Sequence, residues 1–289
     1  MIDWPPSLID ELASRRAIIF IGSGISAGAK NEQGNRPPDW KNFLEQARDE
    51  FLRTPDEREF VDEQIKKGAL LDAAEVILHD VSQPDRRRFF SQVFAEPCFN
   101  PYEVHELIQK INPKIVITTN YDQLYEQKCG ATMAGRGYAV RKYTDRSILD
   151  DVRSKDNLII KAHGCISDTQ HLILTRSDYF EIKRNHSEFY KVLDSLLTVS
   201  TVLFVGCSMA DPDIQLILEN TNISAPSQHP HYAVMAKGTH RALIKAMQSS
   251  YNIKILEYEY DEYGGHSMLQ ESLQVLKDSV ESAVPYMQS

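Results

Sequence analysis

The sequence has no CxxC pair: its four cysteines, Cys98, Cys129, Cys165 and Cys207, stand far apart in 289 residues. No structural zinc site is recognisable without that local spacing. In a chain lacking an export signal, such cysteines are expected to be thiols rather than a disulfide framework. Long hydrophobic runs are also missing, and no window approaches the roughly 18 apolar residues of a membrane span. The amino-terminal stretch MIDWPPSLIDELASRR lacks the basic start, apolar core and small-residue cleavage site of a secretory leader. A cytoplasmic location without membrane association is expected. Positive charge is in deficit, with 32 Lys and Arg against 41 Asp and Glu for a net charge of -9. That balance disfavours direct nucleic-acid binding, which relies on cations neutralising phosphates. The basic run Arg86-Arg87-Arg88 reads as the solvated face of a helix. Flexible linkers, repeats and low-complexity tracts are absent.

What is present describes a folded enzyme or binding domain, with 42% hydrophobic and 25% charged residues. Short apolar, β-branched runs predict buried parallel strands at Ala17–Ile21, Ile115–Thr119, Leu158–Ala162, Thr201–Val205, His231–Met235 and Ile253–Tyr258. Helical stretches separate them. The expected fold is α/β, a Rossmann-like, doubly wound and mostly parallel sheet, with ligands bound outside the carboxyl ends of the strands. One domain over residues 1–289 accommodates this pattern. Between the first two strands, about residues 40–112 show helical spacing, as at Leu70, Ala73, Ala74, Ile77 and Leu78, and read as a helical insertion. Thr54-Pro55, Gln83-Pro84 and Asn100-Pro101 divide it into short helices. Leu269, Leu273, Leu276 and Val280 form one stripe of a closing helix that packs on the sheet or, alternatively, contacts another subunit.

Four loops after strands concentrate the chemistry. Gly22-Ser23-Gly24-Ile25-Ser26, followed by Ala27-Gly28, lets backbone amides approach a pyrophosphate at a helix amino end. Its spacing departs from GxGxxG, so by itself it serves equally as an ordinary strand-to-helix turn. In Thr118-Thr119-Asn120-Tyr121-Asp122, Asn120 can hold a ribose hydroxyl or position a water and Asp122 can accept from an amide or hydroxyl. The plain alternative makes Asn120 a turn residue and Asp122 the cap of a helix over Gln123–Lys128. Lys161-Ala162-His163-Gly164 places a histidine, suited to acid–base chemistry near neutral pH, at a strand end. A lone histidine elsewhere is ordinarily a hydrogen-bonded core residue, and the other eight read that way. In Val205-Gly206-Cys207-Ser208-Met209, Gly206 and Ser208 are ligand candidates, while Asp211 and Pro212 read as a helix cap and first helical residue.

Taken together and in this order, GSGIS at 22–26, TTNYD at 118–122, KAHG at 161–164 and VGCSMADPDI at 205–214 resemble the sirtuin family, especially its bacterial zinc-free branch associated with antiviral depletion of nicotinamide adenine dinucleotide (NAD). The resemblance spans roughly residues 17 to 215 and implies one sirtuin-like catalytic domain over the whole chain. It implies that Gly22, Ser23, Gly24 and Ser26 line the pyrophosphate and ribose site and that Asn120 and Asp122 line the nicotinamide-side ribose pocket. It further assigns His163 the catalytic position and Gly206 and Ser208 the adenosine-side ribose.

The sequence departs from protein-deacylating sirtuins in lacking both their paired CxxC zinc module and the FGE stretch beyond their histidine. After His163 it reads CISDTQHLILTRSDYFEI, and Leu174 to Tyr179 looks like the zinc-free branch. The resemblance therefore implies an NAD hydrolase giving nicotinamide and ADP-ribose, with NAD as substrate, water as acceptor and no metal. A divergent deacylase or ADP-ribosyltransferase needs a second substrate, and a non-catalytic NAD or ADP-ribose sensor would act through a partner. Because unrestrained NAD loss is toxic, control by a homo-oligomer or by a separately encoded regulatory or sensor protein is expected.

Overall fold

In IIFI (18–21), IVIT (115–118) and VLFV (202–205) every residue is buried, as befits strands covered by helices on both faces. The computed structural model describes residues 1–130, 138–209, 214–215, 218–219, 227–262 and 265–287. Its strands are β1 (Ile18–Ile21), β2 (Ile115–Thr118), β3 (Tyr138–Lys142), β4 (Asn157–Lys161), β5 (Val202–Val205), β6 (His231–Ala236) and β7 (Ile253–Tyr258). They form one sheet in the order β3-β4-β2-β1-β5-β6-β7, with every neighbouring pair parallel. The expected doubly wound, Rossmann-like sheet is present, together with an edge strand, β3, that no periodicity announced. Each residue of β3 is only half-buried, so YAVRK shows neither a continuous apolar run nor clean alternation.

Alternate residues of the central strands feed two apolar layers, as the two-residue period of a strand requires. Ile19, Ile21, Val116, Ile159, Leu203 and Val205 face one side; Ile18, Phe20, Ile117, Ile160, Val202 and Phe204 face the other. The first layer is closed by α1 (Pro6–Ala13), by the helix at Glu103–Ile111 and by the final helix at Ser267–Met287. Leu269, Leu273, Leu276 and Val280 all bury in this layer, and Trp4 Nε1 donates to the Ser272 carbonyl at 2.8 Å.

After β1 come α2 (Ser23–Ser26), α3 (Trp40–Phe51), α4 (Pro55–Lys67), α5 (Leu70–Leu78) and α6 (Gln83–Phe90), then α7 (Glu103–Ile111). Helices α3 to α6 enclose a separate core around Phe43, Leu44, Ala74, Ile77 and Phe90. Helix α7 instead faces the sheet through Val104, Leu107, Ile108 and Ile111. The prolines act at helix starts: Thr54 caps α4 ahead of Pro55, and Ser82 caps α6 ahead of Pro84. The α3–α6 core also receives Leu172 and Leu174, and Ser177 Oγ donates to Glu75 Oε1 at 2.7 Å, docking the insertion beside the segment that follows His163. Further helices among the described residues are α8 (Leu124–Lys128), α9 (Ile148–Arg153), α10 (Arg176–Asn185), α11 (Ser187–Val199), α12 (Arg241–Tyr251) and α13 (Ser267–Met287). The Asp211-Pro212 pair lies outside the described residues. Among the described residues, no helix is long and apolar enough to cross a membrane.

Candidate functional site

The chain leaves β1 in one direction to build β2, β4 and β3 and in the other to build β5, β6 and β7. At such a reversal doubly wound sheets form the crevice, outside the carboxyl ends of their strands, in which they bind ligands. Gly22 extends the ladder by donating to the Val205 carbonyl at 3.0 Å, and Gly24 donates to the Gly206 carbonyl at 2.9 Å. A Cβ on Gly22 would stand 2.5 Å from the Gly206 oxygen; on Gly206, where φ is +67°, it would stand 2.6 Å from the Ile25 nitrogen. Close backbone crossing therefore demands glycine at both positions. Ser23 and Gly24 are exposed at this crossing, Ser26 is buried, and Ser208 is exposed two residues beyond Gly206.

Asn120 is 8% exposed. Its amide donates to the Gly22 carbonyl at 3.0 Å and to Ser26 Oγ at 3.1 Å, and its own N–H donates to Thr118 Oγ1 at 3.0 Å. Its carbonyl oxygen Oδ1 is buried and has no hydrogen-bond partner among the described residues. Buried acceptors are nearly always satisfied, so an orphaned one beside the closely crossing glycine loops marks a place for a donor such as a ribose hydroxyl or water. Asp122 does not cap the helix, whose N-cap position is Gln123, but its carboxylate makes two bonds. One oxygen accepts from the Leu124 N–H at 3.0 Å while the other accepts from Ser26 Oγ at 2.7 Å. The structure thus joins Gly22, Ser26, Asn120 and Asp122 through one set of bonds.

His163 is 4% exposed and stands beyond β4, the strand beside β2. Ala162 N–H donates to the Thr118 carbonyl at 2.8 Å, locking the two strand ends together. The ring meets Tyr179 edge-on with centroids 5.2 Å apart and lines a small apolar cavity with Phe20, Thr119, Phe189 and Tyr190. Gly164 is obligatory in the turn that follows: φ is +86° and a Cβ would lie 2.1 Å from the His171 carbonyl oxygen. The loops also interlock, since Ile166 N–H donates to the Tyr121 carbonyl at 2.8 Å and Tyr121 OH donates to the Ile173 carbonyl at 2.5 Å.

Sequence reasoning passed over three neighbours. Tyr102, at the start of α7, packs so tightly on Gly28 that a Cβ there would lie 2.3 Å from its ring; Gly28 is thus a packing glycine. His105 is fully buried, its Nδ1 accepts from the Tyr102 N–H at 3.3 Å, and its Nε2 has no partner among the described residues. Burial lowers its pKa to about 4, opposed by the nearby Asp122 charge. Lys161 is buried against Glu126. The apolar spacing of α7 signalled a core histidine at 105, but nothing local revealed what it faces. Among the described residues, no group of three or more His, Cys, Asp or Glu side chains is placed to hold a metal ion.

A parallel doubly wound sheet with closely crossing glycine loops at its switch point defines a Rossmann-like α/β protein. Residues 114–256 match the SIR2-like domain. It is similar to the NAD(+) hydrolase ThsA of Acinetobacter baumannii, with 24% identity over 250 residues covering 85% of this chain and 48% of that one. The Enterococcus faecium NAD(+) hydrolase ThsA is 30% identical over 138 residues, 47% of this chain and 28% of that one. Defense-associated sirtuin 2 of Bacillus subtilis is 23% identical over 215 residues, 70% of this chain and 19% of the relative. The matched part is under half the length of each of these relatives.

Proposed function

We propose that this chain is an NAD hydrolase that cleaves the nicotinamide–ribose bond, passes the ribosyl carbon to water, and releases nicotinamide, ADP-ribose and a proton. The observation that carries this reading is the buried Oδ1 of Asn120, without a partner among the described residues, beside the closely crossing glycine loops. Relatives named NAD(+) hydrolase and defense-associated sirtuin support this reading, which we extend to the NAD-depleting effector of a bacterial antiviral defence system.

In this reading Gly22, Ser23, Gly24 and Ser26 receive the pyrophosphate and adjoining ribose, while Gly206 and Ser208 receive the adenosine-side ribose. Asn120 orients the nicotinamide-side ribose or the attacking water, with Asp122 acting on that pocket through Ser26. Cleavage develops oxocarbenium-like charge on the ribose, and nicotinamide departs neutral from a cationic linkage, so little acid assistance is needed. His163 accepts the proton from water or from a ribose hydroxyl. Residues 1–289 act as a single sirtuin-like catalytic domain with the helical insertion at about 40–112. The protein works in the cytoplasm, restrained by assembly into a homo-oligomer or by a separate regulatory protein.

The test is to incubate the protein with NAD and no acylated peptide, with and without the products of neighbouring genes, and to resolve the products. Free ADP-ribose with equimolar nicotinamide is the expected result. Strict dependence on an acetylated peptide would overturn the reading.

A further inference from the structure

Lys161 ends β4 with its side chain 0% exposed, after the apolar residues Leu158, Ile159 and Ile160. By the two-residue period of the strand it shares a face with Ile159, on the side covered by α7, α8 and α13. An apolar side chain is what such a strand calls for, and an unpaired ammonium there is strongly disfavoured. The ammonium is paired: Nζ lies 2.7 Å from Oε1 of Glu126, itself buried on α8, and also donates to the Asp122 carbonyl. Burial opposes the charged form, but Glu126 foremost, with Cys165 and Asp122, outweighs it and holds the pKa above the usual lysine value.

From Asp122 the bonds continue without a break. Ser26 Oγ donates to Asp122 Oδ2 at 2.7 Å, and Asn120 Nδ2 donates to Ser26 Oγ at 3.1 Å. Lys161 therefore grips the backbone of the same turn whose side chains aim Asn120. We propose that Lys161, anchored by Glu126, is a positioning residue that fixes the Asp122 peptide and thereby sets the direction of the Asn120 amide in the crevice. This rests on reading Asn120 as the ligand-contacting group.

Stability alone gives no reason for the pair, because replacing both members of a buried ion pair by apolar residues is often neutral or stabilising, whereas removing one partner is harmful. A methionine would fill the volume of Lys161 but donate nothing to the Asp122 carbonyl. The lysine's long stem and three donors let it reach a carboxylate and a carbonyl together.

The experiment compares the wild type with the Lys161→Met, Glu126→Leu double variant by hydrogen–deuterium exchange, thermal unfolding and NAD turnover. The expected result is at least tenfold faster exchange confined to residues 119–124, with β1 and β5 protected as before. The melting temperature should stay within a few degrees, and kcat should fall at least tenfold with KM within threefold. Should the double variant not fold, Lys161→Gln with Glu126→Gln keeps uncharged hydrogen-bonding groups at both positions and must show the same confined loosening. Wild-type exchange at 119–124 in whichever variant folds, or loosening spread evenly over the sheet, overturns the proposal. Confined loosening in a protein whose wild type releases no ADP-ribose from NAD would sustain the positioning role and sink the hydrolase reading.

Discussion

Asn120 and His163 each stand two residues beyond a registered pair, because Thr118 at the end of β2 lies directly opposite Lys161 at the end of β4. Two parallel strands thus deliver an amide and an imidazole to the same level of the sheet, from positions 43 residues apart in sequence. Both side chains are buried although both sit on loops, so activity in their variants has to be read against unfolding.

For Asn120→Ala, NAD turnover is expected to fall by about 100-fold or more, the usual scale for losing a positioned catalytic group. The Gly22 carbonyl and Ser26 hydroxyl each lose a donor, which costs about 1–3 kcal/mol. Turnover and thermal unfolding measured on one preparation check both effects. Wild-type turnover in the folded variant would remove Asn120 from the chemistry.

His163→Ala should lose turnover on a similar scale, about 10²–10⁴-fold. It also leaves a void beside Phe20, Phe189 and Tyr190 and deprives Tyr179 of its edge contact. His163→Phe fills that void without a proton acceptor, so it should restore part of the melting temperature while remaining inactive. Activity in the phenylalanine variant would show the ring to be packing alone.

Gly22→Ala and Gly206→Ala should both destabilise the chain and abolish NAD binding, since the new Cβ atoms would meet backbone at 2.5 and 2.6 Å, which cannot rotate away. Ser23→Ala, at an exposed position of the same loop, should keep the wild-type melting temperature while weakening NAD binding. Calorimetric titration with NAD beside thermal unfolding separates the two classes. Equal behaviour of the glycine and serine variants would contradict the backbone argument.

Stability should fall as pH drops from about 6.5 towards 4. Burial lowers the pKa of both His105 and His231 to about 4. Between those values the unfolded chain binds protons that the folded one excludes, so each imidazole withdraws on the order of 3 kcal/mol over the interval. His231 Nδ1 accepts from the Val202 N–H at 3.2 Å, a bond available only to the neutral ring. The melting temperature followed from pH 7 to 4 should therefore decline less steeply in His231→Gln than in the wild type; parallel profiles would refute the assignment.

Much of the fold was legible because buried parallel strands are short, apolar on both faces and separated by helical spacing. IIFI, IVIT and VLFV announce themselves, and the glycines, asparagine and histidine just beyond strand ends could be located without coordinates. β3 was not legible, because a half-buried edge strand such as YAVRK carries neither an alternating nor a continuous apolar signal. Residue type and place along the chain thus determined which polar residues and glycines stand at the strand ends.

Only the tertiary structure decided what those residues touch. In the sequence Lys161 is a polar residue where a strand stops, and Asp122 is a plausible helix cap. Their meeting depends on β2 pairing with β4 and on α8 folding over that edge to bring Glu126 within 2.7 Å. The direction of the Asn120 oxygen, which has no partner among the described residues, is likewise fixed by Gly22 and Ser26 taking both donors of its amide. Local propensity acts over a few residues, whereas burial and hydrogen-bond satisfaction are set by groups about 40 to 100 positions away. The inventory of candidate residues was therefore written in the sequence, and their arrangement in the packing.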